Sequence, residues 1–190
     1  MGKNSAHSRV IAAGKFLLGI AVLFMLLSFF LSLIPLTLSE QFYAYGTLAA
    51  LNALGFGGTV IVQEPVLLVL DALSVPVGIS YLCTGILELS LVWSAVIASA
   101  GVGAGKRAAG VAAGTAVLVF FNFLRIISSI LIILFFGFDA GNFSHDALFR
   151  VFLFATIAGF YYFWLNWATE GKIGNGAGRG KGGRKRPSRA

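Results

Sequence analysis

Three short blocks hold the side chains able to do chemistry. The only cysteine, Cys83, lies in Tyr81-Leu82-Cys83-Thr84-Gly85-Ile86. Arg125 lies in Phe121-Asn122-Phe123-Leu124-Arg125-Ile126, inside an otherwise apolar stretch, with Asn122 at i−3 on the same helical face. His145 and Arg150 lie in Ser144-His145-Asp146-Ala147-Leu148-Phe149-Arg150. A thiolate is a strong nucleophile, a histidine moves protons, and a guanidinium holds a thiolate or a developing oxyanion. Together these groups suit acyl transfer through a thioacyl intermediate.

Each block also has a plainer reading. Most lone membrane cysteines are small buried hydrophobes. Arg125 could snorkel to headgroups, but snorkelling calls for no polar companion on the helix, and Asn122 is one. An arginine inside an apolar segment costs at least about 2.5–3.5 kcal/mol on insertion scales, which points to a bundle-facing role. Arg150 could pair with Asp146 at i−4, and His145 could be a surface histidine after the loop Gly141-Asn142-Phe143-Ser144. His7 lies in the N-terminal stretch and is set aside. Glu88 reads as a partner for Arg125 rather than a catalyst.

The elements that must position these residues are membrane-spanning. Of 190 residues, 58% are hydrophobic and only 11% charged, against roughly a quarter charged in soluble domains. Mean hydropathy is +0.90. A soluble globule is excluded, and one cysteine cannot form an internal disulfide. The expected fold is an all-α polytopic transmembrane bundle in a single domain over 1–170. Its spans fall near 16–34, 84–105, 108–138 and 147–167, each meeting the requirement for roughly 20 apolar residues. The run Phe16–Ile34 is too long for a signal-peptide core and reads as a retained first span ended by Pro35. The third span, about 31 residues by this reading, must either tilt strongly or break near Asn122–Ser129.

Residues 36–82 read differently, as a small cap. Glu40–Leu54 has a helical pattern that Gly55-Phe56-Gly57-Gly58 breaks. Thr59–Val62 and Val66–Leu70, separated by Gln63-Glu64-Pro65, read as a short β-hairpin or extended pair. Residues 171–190 read as a disordered basic tail.

Basic residues set the expected orientation. Lys3, Arg9 and Lys15, then the loop Lys106-Arg107, then seven residues of the tail make twelve of the fourteen Lys and Arg. Four spans put all twelve on the cytoplasmic side, with both termini. Only Arg125 and Arg150 depart from the pattern. At a rise of about 1.5 Å per residue, Cys83 lies roughly 35 Å from Lys106 and Arg150 roughly 33 Å from Lys172, about one bilayer each. Arg125 lies roughly 26 Å from Ala108. Cys83, Arg125, His145 and Arg150 therefore converge at the extracytoplasmic surface of a cell membrane. A cysteine at a loop-to-helix junction there also meets the positive end of the helix dipole.

The net charge of +7 is concentrated in a glycine-diluted tail and is read as topology, not as a nucleic-acid partner. One cysteine and one outer histidine make no zinc site, and no Walker loop, dinucleotide fingerprint or Gly-x-Ser-x-Gly elbow is present, so no metal or cofactor is expected.

The blocks Cys83-Thr84-Gly85, Asn122-Phe123-Leu124-Arg125 and His145 through Arg150, in this order over most of 80–167, resemble the archaeosortase/exosortase family. The resemblance implies a polytopic cysteine transpeptidase that processes surface proteins bearing a C-terminal signal: a short motif, a spanning helix and a basic cluster. Cleavage would be coupled to transfer onto a lipid or other envelope nucleophile. It implies Cys83 as nucleophile and Arg125 as its cationic partner, with His145 or Arg150 completing the site and Asn122 and Thr84 contacting substrate. The substrate helix would pack beside small residues such as Ala98, Ala100, Gly101, Gly103 and Gly105. The alternative is a small transporter or assembly scaffold in which Arg125 and Arg150 line an anion path and the thiol has no task.

Overall fold

A computed structural model describes residues 3–33, 35–145 and 149–176. The chain is mostly helical, with one small sheet. Among the described residues, three helices are long and apolar enough to cross a membrane: Val10–Ser32 within α1 (Lys3–Ser32), all of α4 (Ala104–Phe136), and Phe149–Glu170 within α6 (Phe149–Gly176). Large apolar side chains such as Met25, Phe29, Phe154 and Phe163 point outward from α1 and α6. Apolar exposure on that scale suits a membrane protein.

The stretch expected as a second span is shorter than 84–105. Helix α3 covers Ile86–Ala98, thirteen residues and roughly 20 Å. Its ends have a backbone cause. Gly85 before it and Gly101 after it both take left-handed φ values, 72° and 77°, which glycine adopts at little cost. Four spans thus become three long helices and one short apolar one. Lys106 and Arg107, expected in a loop, lie in the first turn of α4.

Helix α4 neither breaks nor stops at one bilayer. It runs unbroken for 33 residues, roughly 50 Å, where a hydrocarbon core needs about 30 Å. The two parts of its length serve two different cores. The first two-thirds packs against α3 and α6 around Val92, Val96, Leu118 and Trp164. Small residues permit the close approach: a side chain at Gly110 would collide with Trp164, and one at Gly114 would lie 2.9 Å from both Phe160 and Val92. Trp93 Nε1 donates to Thr115 Oγ1 at 2.9 Å across α3 and α4. At the far end Lys106 Nζ donates to the Ala168 carbonyl at 2.8 Å, and Arg107 to the Ser99 carbonyl at 2.8 Å.

The last third of α4 carries the cap, where Ile126 and Ile130 join Tyr43, Leu51, Val66, Leu68 and Ile79 in a second core. The cap begins with α2 (Leu36–Ala53), where an α-helical start follows Pro35. A three-stranded antiparallel sheet follows, in order β1 (Gly58–Ile61), β2 (Val66–Leu70), β3 (Val77–Ile79). The hairpin expected from sequence is β1–β2, in register Gly58↔Leu70 through Ile61↔Leu67. The third strand, with Val66 opposite Ile79, is an addition to it. Strand β2 alternates fully buried and half-buried residues, as a sheet resting one face on a core must. Buried Glu40 accepts the Val66 N–H at 3.2 Å and ties α2 to the start of β2.

Two further differences lie beyond α4. Gly141-Asn142-Phe143, expected as loop, belong to a short helix, α5 (Phe138–Phe143). Gly137, at φ 89°, turns the chain back from α4, and glycine at 141 lets α5 lie directly on Ile133. Residues 171–176 continue α6, because adding one hydrogen-bonded residue to an existing helix is cheap without a breaker. The remainder of the expected tail, 177–190, and the Asp146 partner considered for Arg150 lie outside the described residues.

Candidate active site

The site forms where the two cores meet. β3 runs into a 3-10 turn, Tyr81–Cys83, which precedes α3. Thr84 is buried, and its hydroxyl donates to the Tyr81 carbonyl at 2.6 Å, closing the turn. Cys83 ends this turn, two residues before the cap Gly85. The α4 face at Asn122 and Arg125 packs against it from the side.

Those two residues hold the cysteine's backbone. Asn122 Nδ2 donates to the Cys83 carbonyl at 2.6 Å. Arg125 Nη2 donates to the same carbonyl at 3.3 Å and to the Leu82 carbonyl at 3.4 Å. Both side chains are nearly fully buried. The guanidinium expected to face the sulfur thus grips the loop behind it, and its Nη2 bonds go to carbonyls rather than to Glu88. The arrangement has a physical logic. The turn's carbonyls face the buried Asn122 and Arg125 side chains, and a charged donor gives the stronger bond.

The sulfur has other neighbours. His145 Nε2 lies 4.0 Å from Cys83 Sγ, at the long limit for a sulfur hydrogen bond. Ser80 Oγ lies 3.6 Å from it. Burial, the largest influence, pushes the thiol pKa up; hydrogen bonds from His145 and Ser80 and the charge of His145 pull it down, and the net direction is downward. The sequence reading did not single out Ser80. The available signal was the Ser-x-x-Cys spacing, which brings the two side chains together in one helical turn.

Two clefts open on this pair. One, about 280 Å³, lies on the sheet side, between residues 76–79 and the α4 residues Ile126, Ile130 and Ile133. The other, about 500 Å³, includes Arg125, Arg150, Glu88 and Leu153. Among the described residues, only Cys83 and His145 line both. Arg150 is exposed, on the first turn of α6. The structure therefore gathers Cys83, Arg125, His145 and Arg150 around one cleft. It places Thr84 and Asn122 beneath the cysteine loop, where their bonds go to backbone. Among the described residues, no group of three or more His, Cys, Asp or Glu could hold a metal ion.

The small-residue stretch expected to admit a substrate helix is partly covered. Ala98 Cβ would lie 3.8 Å from a side chain at Gly19, so α1 already packs there. Gly103 and Gly105 have open space beside them. Comparison with family models, with curated proteins and with solved structures finds no match.

Proposed function

We propose that this protein is a membrane-embedded cysteine peptidase or transpeptidase, of the archaeosortase/exosortase kind, that cleaves the C-terminal signal of surface proteins. The observation that carries the reading is the Cys83–His145 pair, 4.0 Å apart, whose cysteine loop is gripped from behind by Asn122 and Arg125. A scaffold has no need to hold a cysteine backbone with a buried arginine. The order and spacing of the three blocks support the same reading.

The chemistry follows from the groups. His145 takes the Cys83 proton, and the thiolate adds to the scissile carbonyl of the substrate. The carbon–nitrogen bond breaks, and the leaving amine departs with the proton from His145. An amine or hydroxyl of a lipid or envelope acceptor, or water, then attacks the thioester and restores the thiol. Arg150, facing the same cleft, is placed to meet the oxyanion or an anionic acceptor. Arg125 and Asn122 act through the loop, as positioning residues. In the membrane, the basic end at Lys106 faces the cytoplasm with both termini, and the site faces outward. The substrate's spanning helix would lie beside the bundle at the arginine-side cleft.

The test uses surface proteins of the same cell that end in a short segment, an apolar helix and a basic cluster, tagged behind that cluster. Wild-type enzyme is expected to remove the tag. Cys83→Ala and Arg125→Ala variants that still insert are expected to leave it in place. Normal processing by the Cys83→Ala variant would overturn the proposal. The transporter or scaffold alternative predicts that outcome, because it gives the thiol no task.

A further inference from the structure

The cleft on the sheet side of Cys83 has a property that the proposed chemistry does not use. Four consecutive residues, Pro76, Val77, Gly78 and Ile79, line it. Side chains alternate across a sheet, so a cleft on a sheet face would be lined by every second residue. Here all of β3 and the preceding Pro76 line it, and Gly78 does so with backbone alone, the pattern of a strand that turns its edge to the cleft. β3 is the terminal strand of the order β1-β2-β3, so this edge is the one turned away from β2. Such an edge offers backbone N–H and C=O groups to an incoming strand. The opposite wall is mostly apolar, formed by Ile126, Ile130 and Ile133 of α4 with Ser129 among them.

The edge itself sets the conformation of an occupant. A chain paired with β3 must be extended and lies at the strand spacing of about 4.8 Å, and the cleft of about 280 Å³ opens beside that edge. The cleft also ends on the reactive pair, since Cys83 and His145 form part of its wall.

We propose that the sheet-side cleft binds an extended, apolar peptide segment as a fourth strand on the β3 edge, delivering the carbonyl at its end to Cys83. Main-chain hydrogen bonds would supply affinity, and the isoleucine wall would select small or apolar side chains. The inference rests on the reading of Cys83 as nucleophile and adds the substrate's conformation and the surface that reads it. The two clefts then divide the substrate, with the extended segment on the sheet side and the remainder beyond the scissile bond on the arginine side.

The test uses the full-length protein in detergent micelles and three alkylating probes. These are iodoacetamide, acetyl-trialanine chloromethyl ketone, and the same chloromethyl ketone with every backbone amide N-methylated. In the last two, the Cys83 thiolate displaces chloride from the terminal methylene; a carbon–sulfur bond forms and chloride leaves. N-methylation removes the donors that strand pairing needs. The unmethylated ketone is expected to react at least tenfold faster than its methylated counterpart. In Asn142→Trp, which fills the cleft from α5, the peptide rate divided by that variant's own iodoacetamide rate is expected to fall at least tenfold. Equal rates for the two ketones on the wild type overturn strand addition, and rapid iodoacetamide reaction beside them leaves the nucleophile reading standing. A peptide preference that survives in Asn142→Trp overturns the placement in this cleft. A thiol inert to iodoacetamide at neutral pH overturns the proposed function, and this inference with it.

Discussion

Cys83 is caught between opposing influences, and the balance can be measured. Burial alone would raise its pKa; Ser80 and His145 reverse the direction. Removing Ser80 Oγ by Ser80→Ala is expected to raise the midpoint of Cys83 alkylation, by less than loss of His145 does. The backbone of the same residue sets a second expectation. Asn122→Ala removes the 2.6 Å donor to the Cys83 carbonyl and leaves it the longer 3.3 Å bond from Arg125 Nη2, at a cost of about 1 kcal/mol, the net worth of one hydrogen bond. Thermal unfolding in micelles should register that loss, and tag removal should slow, because the loop that carries the sulfur is no longer fixed. The sequence made the polar pair Asn122/Arg125 legible, since apolar helices carry such residues only for a reason. It could not make legible that the guanidinium would grip carbonyls rather than sulfur. That depends on which side of the 3-10 turn faces α4, a tertiary fact with no local signature.

Elements bring these residues together through a few glycines. Gly85 holds φ at 72° between the cysteine turn and α3, and a side chain there would also meet Asn122 Cγ at 3.4 Å. Gly85→Ala is therefore expected to destabilise the protein by about 1–2 kcal/mol through left-handed strain and to slow Cys83 alkylation by shifting the turn that carries the sulfur. Gly110→Leu is expected to have a different effect. It pushes Trp164 away from α4 and loosens α6, and it lies at the Lys106 end of the helix, so protease protection of α6 should fall more than thiol reactivity. Hydropathy revealed the hairpin, α2 and the long helices because their patterns are local. It overestimated α3, since an apolar run ending in Ala-Gly-Val-Gly reads as span until Gly101 turns the chain. It missed β3, three residues long, because so short a strand is defined by its neighbour β2.

At the scale of the whole molecule, α4 is the ruler. Arg125 lies 21 positions from Ala104, roughly 32 Å along the axis and about one bilayer thickness. Everything beyond it carries the cap. Charge counting along the sequence reached the same level for Cys83, Arg125, His145 and Arg150, even though the second span proved short. The reason is that α3 and α4 run antiparallel, so that Cys83 meets Asn122 while Ser99 meets Arg107. In intact cells, a membrane-impermeant thiol reagent is expected to label Cys83 of the wild type, and to leave unlabelled a Cys83→Ser, Lys106→Cys variant until the membrane is opened.

The most direct measurement of the central claim is the pH dependence of Cys83 alkylation by iodoacetamide on the full-length protein, wild type against His145→Ala. The rate follows the thiolate fraction, and Cys83 is the only cysteine. The expected midpoint for the wild type lies below the ordinary thiol value of about 8.5, and for His145→Ala it lies higher, because burial then acts with less opposition. Superimposable profiles for the two proteins, or a wild-type midpoint above the ordinary value, would contradict the account.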